Sequence, residues 1–154
     1  MTALLENGAA AASATQTSPN ELDLRGLRHW QSSTPPSVLI MEDDEDLQEG
    51  WRVFLRHYGY TVRSSSDGRQ GFEEVVQDAP DVLLLDLGLP GMHGHKVLHQ
   101  LRMHEQDSRI IVVTAEHSAD NHQRAMRLGA HAVLAKPLDP NLLLGTIERL
   151  LDEG

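Results

Sequence analysis

Four short runs of apolar residues constrain this chain more than any other feature: Val38–Met41, Val82–Leu85, Ile110–Val113 and Ala132–Ala135. A strand that is apolar on both faces must be covered on both sides, and parallel sheets roofed by helices are where such strands occur. The stretches between the runs carry helical spacing. Leu47, Trp51, Phe54, Leu55 and Tyr58 fall at i, i+4, i+7, i+8 and i+11, one stripe of a helix that Gly59 closes. Phe72, Val75 and Val76 mark a second helix after the Ser66-Asp67-Gly68 turn, and Val97, Leu98 and Leu101 a third. Ala125, Met126 and Leu128, closed by Gly129, mark a fourth. Leu143, Leu144, Ile147, Leu150 and Leu151 mark a fifth after Asp139-Pro140, with Leu142 spare to its stripe. Tyr60–Ser64 alternates in polarity, as an edge strand does. Five strands alternating with five helices over residues 38–154 predict an α/β domain, a doubly wound five-stranded parallel sheet.

Residues 1–37 lack this periodicity. They are rich in Ala, Ser, Thr, Gln and Pro and read as a flexible leader. Ser18-Pro19-Asn20-Glu21 matches a capping box with proline at the first helical position. A short docking helix over 19–31, carrying Leu24, Leu27 and Trp30, is therefore the structured alternative; Gly26 weakens it and Pro35-Pro36 ends it. The formal charge of −10 argues against direct nucleic-acid contact, because phosphates reward a basic face. With no cysteine, disulfides, thiolate metal sites and cysteine nucleophiles are excluded. No apolar run approaches the ~18 residues of a membrane span. Met1–Ala14 has neither a basic residue nor a sustained apolar stretch, so it does not read as a secretory signal. The expectation is a cytoplasmic protein without a membrane partner.

Acids gather where such a sheet places its ligands, beyond the carboxyl ends of the strands at the point where strand order reverses. The first strand runs into Glu42-Asp43-Asp44-Glu45-Asp46, and the third ends in Asp86. An aspartate closing an apolar strand is costly unless hydrated, paired or metal-bound. If the first and third strands are neighbours, Asp86 faces Glu42 and Asp43, and a hard divalent cation such as Mg²⁺ resolves the repulsion. The fourth strand delivers Thr114 to the same edge and the fifth delivers Lys136, one of two lysines in the chain. A hydroxyl, an ammonium, a metal site and a nucleophilic carboxylate are the equipment for phosphoryl transfer onto Asp86.

The combination Val-Leu-Ile-Met-Glu-Asp-Asp, Asp-Val-Leu-Leu-Leu-Asp-Leu-Gly-Leu-Pro-Gly-Met-His-Gly, Ile-Ile-Val-Val-Thr-Ala and Ala-Val-Leu-Ala-Lys-Pro resembles the receiver domain of bacterial two-component response regulators, from about Pro36 to Leu151. The resemblance implies a flavodoxin-like sheet of order 2-1-3-4-5. It implies Asp86 as phosphoacceptor, charged by a sensor histidine kinase, a histidine phosphotransfer protein or a small acyl phosphate. Mg²⁺ would be held by Asp43 directly, by Glu42 through water, by Asp86 and by the backbone carbonyl of Gly88. Thr114 and Lys136 would hold the phosphoryl oxygens, and Pro137 would follow Lys136 through a cis bond. Such a domain assists its own phosphorylation and dephosphorylation but turns over no separate substrate. It signals to a downstream protein, in some members as a homodimer through the face of the fourth helix, fifth strand and fifth helix.

Three positions depart from the family pattern. Val133 stands where an aromatic switch residue is usual, so movement of Thr114 has no ring to swing. Gly88, two residues past the acceptor, has no side chain to steer water, and His93 replaces an aspartate. Val133 keeps a second reading open, a receiver-like interaction module that works without phosphate. An aspartyl phosphatase of the haloacid-dehalogenase type would need a general acid where Gly88 stands, and an EF-hand would need glycine where Glu49 stands. His93, His95 and His99 suggest a zinc patch, since 95 and 99 are at i, i+4; among nine histidines chance spacing accounts for it better. With no helix-turn-helix, effector enzyme or basic tract after Asp152, three possibilities are expected. The chain acts alone on a partner, passes phosphate on, or is the receiver part of a longer regulator.

Overall fold

Every apolar run forms a strand and every helical stripe a helix in the computed structural model, which describes residues 34–116 and 118–153. The expected leader helix over 19–31 lies outside the described residues. The strands are β1 (Ser37–Met41), β2 (Thr61–Ser65), β3 (Val82–Asp86), β4 (Arg109–Thr114) and β5 (Ala132–Ala135). The helices are α1 (Glu45–His57), α2 (Gly68–Gln77), α3 (Gly94–Met103), α4 (Ala119–Arg127) and α5 (Pro140–Glu153). All pairings are parallel and the order is β2-β1-β3-β4-β5, as expected.

Local chemistry sets the helix ends. The Asp44 side chain accepts the backbone N–H groups of Asp46 and Leu47 and caps α1. Glu45 and Asp46 then sit at the positive end of its dipole. Asp67 caps α2 and Ser118 caps α4 in the same way. Gly59 and Gly129, at φ 94° and 115°, make the left-handed turns that end α1 and α4. Tyr60 belongs to the first of these turns, donating its N–H to Leu55, so β2 begins one residue later than its polarity pattern suggests.

Successive residues of the central strands bury on opposite faces. Leu39, Met41, Leu83, Leu85 and Val112 pack with α2, α3 and α4, while Val38, Ile40, Leu84, Ile111 and Val113 pack with α1 and α5. Each fully buried aliphatic side chain contributes roughly 1.5–3 kcal/mol of transfer free energy. The helical stripes are narrower than their spacing suggests. Leu47, Val76 and Met126 are exposed, and each lies about 80–100° around its helix from the buried Leu55, Val75 or Ala125. Leu142, spare to the α5 stripe, is exposed too.

At the opposite end of the sheet His131 accepts the Ile110 N–H on Nδ1 at 3.0 Å. Desolvation, and then the charge of Arg109, hold this imidazole below its ordinary 6.5, against a smaller pull from Glu153. The folded chain therefore binds this proton less readily than the unfolded chain. The contribution of His131 is complete above the unfolded value near 6.5 and is lost as pH falls below it. Denaturant midpoints of wild type and His131→Gln should accordingly converge as pH falls from about 7.5 to 5. A gap independent of pH would contradict this.

Candidate functional site

Strand register lines up the acids. Met41 pairs with Leu85, so Glu42 and Asp86 leave the sheet side by side, and Asp86 pairs in turn with Val113, one residue before Thr114. Glu42, Asp43 and Asp86 each offer a carboxylate oxygen, all within 4.8 Å of one another. Glu42 and Asp86 are buried and Asp43 is exposed, so the cluster opens to solvent on the Asp43 side. Three hard oxygen donors this close match the coordination of a small divalent cation. His93, His95 and His99 do not converge in this way among the described residues.

Lys136 reaches this cluster from β5. Its Nζ lies 2.8 Å from Glu42 Oε1 and 3.3 Å from Asp86 Oδ2. The Glu42 contact, between residues 94 apart in sequence, had no signal in the sequence. Burial pushes the Glu42 carboxyl above its ordinary 4.5, opposed by the Lys136 bond and the Asp44 N–H and reinforced by the charge of Asp86. For Lys136 burial works downward, but the bond to Glu42 and the charges of Asp86 and Glu42 outweigh it. The ammonium is held above its ordinary 10.5. Both Glu42 oxygens accept hydrogen bonds, from Lys136 and from the Asp44 N–H, an arrangement that suits the carboxylate form.

Asp86 is held from both sides. Gly88 donates its N–H to Oδ1 at 3.0 Å while Lys136 approaches Oδ2. A Cβ on Gly88 would lie 3.8 Å from Oδ1, so this position borders the carboxylate and leaves the space beside it open. Thr114 is buried at the end of β4; its hydroxyl accepts the Glu116 N–H, and its carbonyl accepts the N–H of Lys136. The Lys136-Pro137 bond is cis. Val133 pairs with Val112 in the sheet and packs, half-buried, against the core under α3 and α4.

Close backbone contacts fix the loop after Asp86. Gly68 donates its N–H to Pro90, and a Cβ on Gly68 would fall 2.1 Å from the Met92 carbonyl oxygen. A Cβ on Gly94 would fall 2.5 Å from the Leu87 Cα. Helices α2 and α3 thus clamp residues 87–94, a constraint that hydrophobic periodicity does not carry.

A family model described as the response regulator receiver domain matches residues 38–148. The chain belongs to that family. Response regulator MprA of Mycolicibacterium vanbaalenii is 33% identical over 117 residues, which cover 76% of this chain and 51% of that one. MprA of Mycobacterium leprae is 36% identical over 114 residues, 74% of this chain and 50% of that one. This receiver domain chain thus spans about half the length of the curated relatives it matches. A CheY-like receiver domain protein from Methanospirillum hungatei superposes with a TM-score of 0.74 at 28% identity, covering 78% of this chain and 96% of that one. The receiver domain's flavodoxin-like order follows, and its acidic cluster sits at the strand ends beside the reversal between β1 and β3. Among the described residues no helix is long and apolar enough to cross a membrane.

Proposed function

We propose that this receiver domain is a phosphoacceptor switch of a histidine-to-aspartate phosphorelay, with Asp86 as acceptor. The observation that carries the reading is the convergence of Glu42, Asp43 and Asp86 with the Lys136 ammonium placed between Glu42 and Asp86. A lone buried carboxylate would be a poor nucleophile for an anionic phosphoryl group; a cationic frame removes that obstacle. An Asp86 oxygen attacks phosphorus, the P–N bond to the donor imidazole breaks, and an acyl phosphate forms. A proton delivered to the leaving imidazole completes the balance. Glu42, Asp43, Asp86 and the Gly88 carbonyl would hold Mg²⁺, which when bound neutralises charge on the transferring oxygens. Lys136 turns its ammonium from Glu42 and Asp86 to the new phosphoryl oxygens, and Thr114, whose hydroxyl oxygen accepts the Glu116 N–H, donates its O–H to the same oxygens. Gly88 leaves the acyl phosphate open to water on one side.

Val133 has no ring to swing, so the signal travels mainly through Thr114 and Glu116 into the first turn of α4, where the Asn121 side chain donates to the Glu116 carbonyl. The partners in this reading are a sensor kinase or phosphotransfer protein upstream and a protein downstream. The compartment is the cytoplasm, a homodimer forms through the α4-β5-α5 face, and no separate substrate is turned over. The test is incubation with acetyl phosphate. One base-labile phosphoryl group per chain is expected in the presence of Mg²⁺, and chelation should block the reaction. Equal labelling with and without chelator would refute the site.

A further inference from the structure

An open cleft lies between α3 and α4, and none of its lining residues belongs to the acidic cluster. It measures ≈ 540 Å³, within the usual range for small-ligand pockets, and is lined by His93, His95, Lys96, His99, Arg124 and Leu128. Among the described residues no acid lines it, although the chain carries a net charge of −10. Two fixed cations around the opening favour an anion, and among the described residues the three imidazoles do not converge on a common metal position.

His95 makes this more than a basic patch. Its residue is only 9% exposed, and its buried Nε2 has no hydrogen-bond partner. An orphaned ring nitrogen inside a protein is costly; Nε2 is sealed from solvent, so a turn of the ring toward the cleft is what would let a ligand oxygen accept from it and remove that cost. His93 is committed elsewhere: its Nδ1 accepts the His95 N–H as the cap of α3, and the two rings stack at 5.3 Å. The charged and titratable groups acting on His95 are Arg124 from α4, His93 at the head of α3 and Glu116 from the loop after β4. Lys96 and His99 share its cavity. Burial, then Arg124 and His93, keep the ring largely neutral at physiological pH, with Glu116 pulling weakly the other way.

We propose that the α3–α4 cleft binds an oxyanion of the phosphate and sulfate class, held by Lys96, Arg124 and the protonated ring of His95. An arriving dianion offsets the repulsion from Arg124 and gives Nε2 its acceptor, so binding takes up a proton and tightens as pH falls. This is independent of the role assigned to Asp86.

The test uses the full chain without Mg²⁺. Histidine ring resonances are followed by NMR while sulfate, a dianion across the range, replaces chloride at constant ionic strength. His95 and His99 should shift, and the apparent Kd should be roughly tenfold tighter near pH 5.5 than near pH 8. Arg124→Gln, an exposed position that leaves the fold intact, should weaken binding several-fold. His95→Leu should keep weak binding and lose its pH dependence. Inorganic phosphate at fixed pH should reproduce the pattern. Shifts confined to histidines outside the cleft, identical titrations in Arg124→Gln, or a response to Zn²⁺ with none to sulfate would each overturn the proposal.

Discussion

Asp86→Asn is expected to abolish phosphoryl incorporation from acetyl phosphate and Mg²⁺ while the domain stays folded. An amide at this position offers no anionic oxygen to attack phosphorus, and the acyl phosphate has no carboxylate to form on. Glu42 is the other buried acid of the cluster, but both its oxygens are engaged, by Lys136 and by the Asp44 N–H. Asp43 is exposed and lacks the partners that hold Asp86 in line. The substitution also removes one of three mutually repelling carboxylates and one partner of Lys136, changes of opposite sign. A retained cooperative melt would therefore confirm that lost labelling reflects lost chemistry. Full labelling in the variant would remove Asp86 as acceptor.

Leu84→Ala should lower stability by about 2–5 kcal/mol. Leu84 is fully buried in the central strand, paired with Ile40 on one side and Ile111 on the other. It packs in the core that α1 and α5 cover, with Leu143 and Ile147 in the same cluster. Truncation leaves a cavity that a strand held on both sides cannot collapse. Leu142→Ala provides the contrast: Leu142 is 51% exposed on α5, and the change should fall within about 0.5 kcal/mol. Chemical denaturation at fixed pH compares the two. Equal effects would mean that the assigned burial of β3 is wrong.

The parts of this molecule that were legible from sequence are those in which one residue type answers one environment. β1, β3 and β4 are apolar on both faces because helices cover both, so a run such as Val82–Leu85 names its own layer. Glu42, Asp43 and Asp86 were legible because an acid terminating such a strand needs a partner, and parallel pairing with register sets them side by side. Contacts between remote backbones were not. Gly68 reads as a turn residue, yet its lack of a Cβ is demanded by the Met92 carbonyl. Lys136 reads as a phosphoryl ligand, while its bond to Glu42 depends on the placement of β5, which is half-buried at Ala132–Leu134 and exposed at Ala135. His95 carries the i, i+4 spacing of a metal pair with His99, but it is buried, and Arg124 from α4 lines the same cleft. Spacing along a helix does not say which element covers it.

The most direct measurement on the central claim is the site of the acyl phosphate itself. Borohydride reduces an acyl phosphate to the alcohol, so phosphorylated aspartate becomes homoserine and the modified residue is fixed before the label is lost. Peptide mass spectrometry on the wild-type chain, after acetyl phosphate, Mg²⁺ and borohydride, should place homoserine at position 86 and nowhere else. Homoserine at position 43, or a stable phosphoryl group on one of the histidines with position 86 unmodified, would contradict the account.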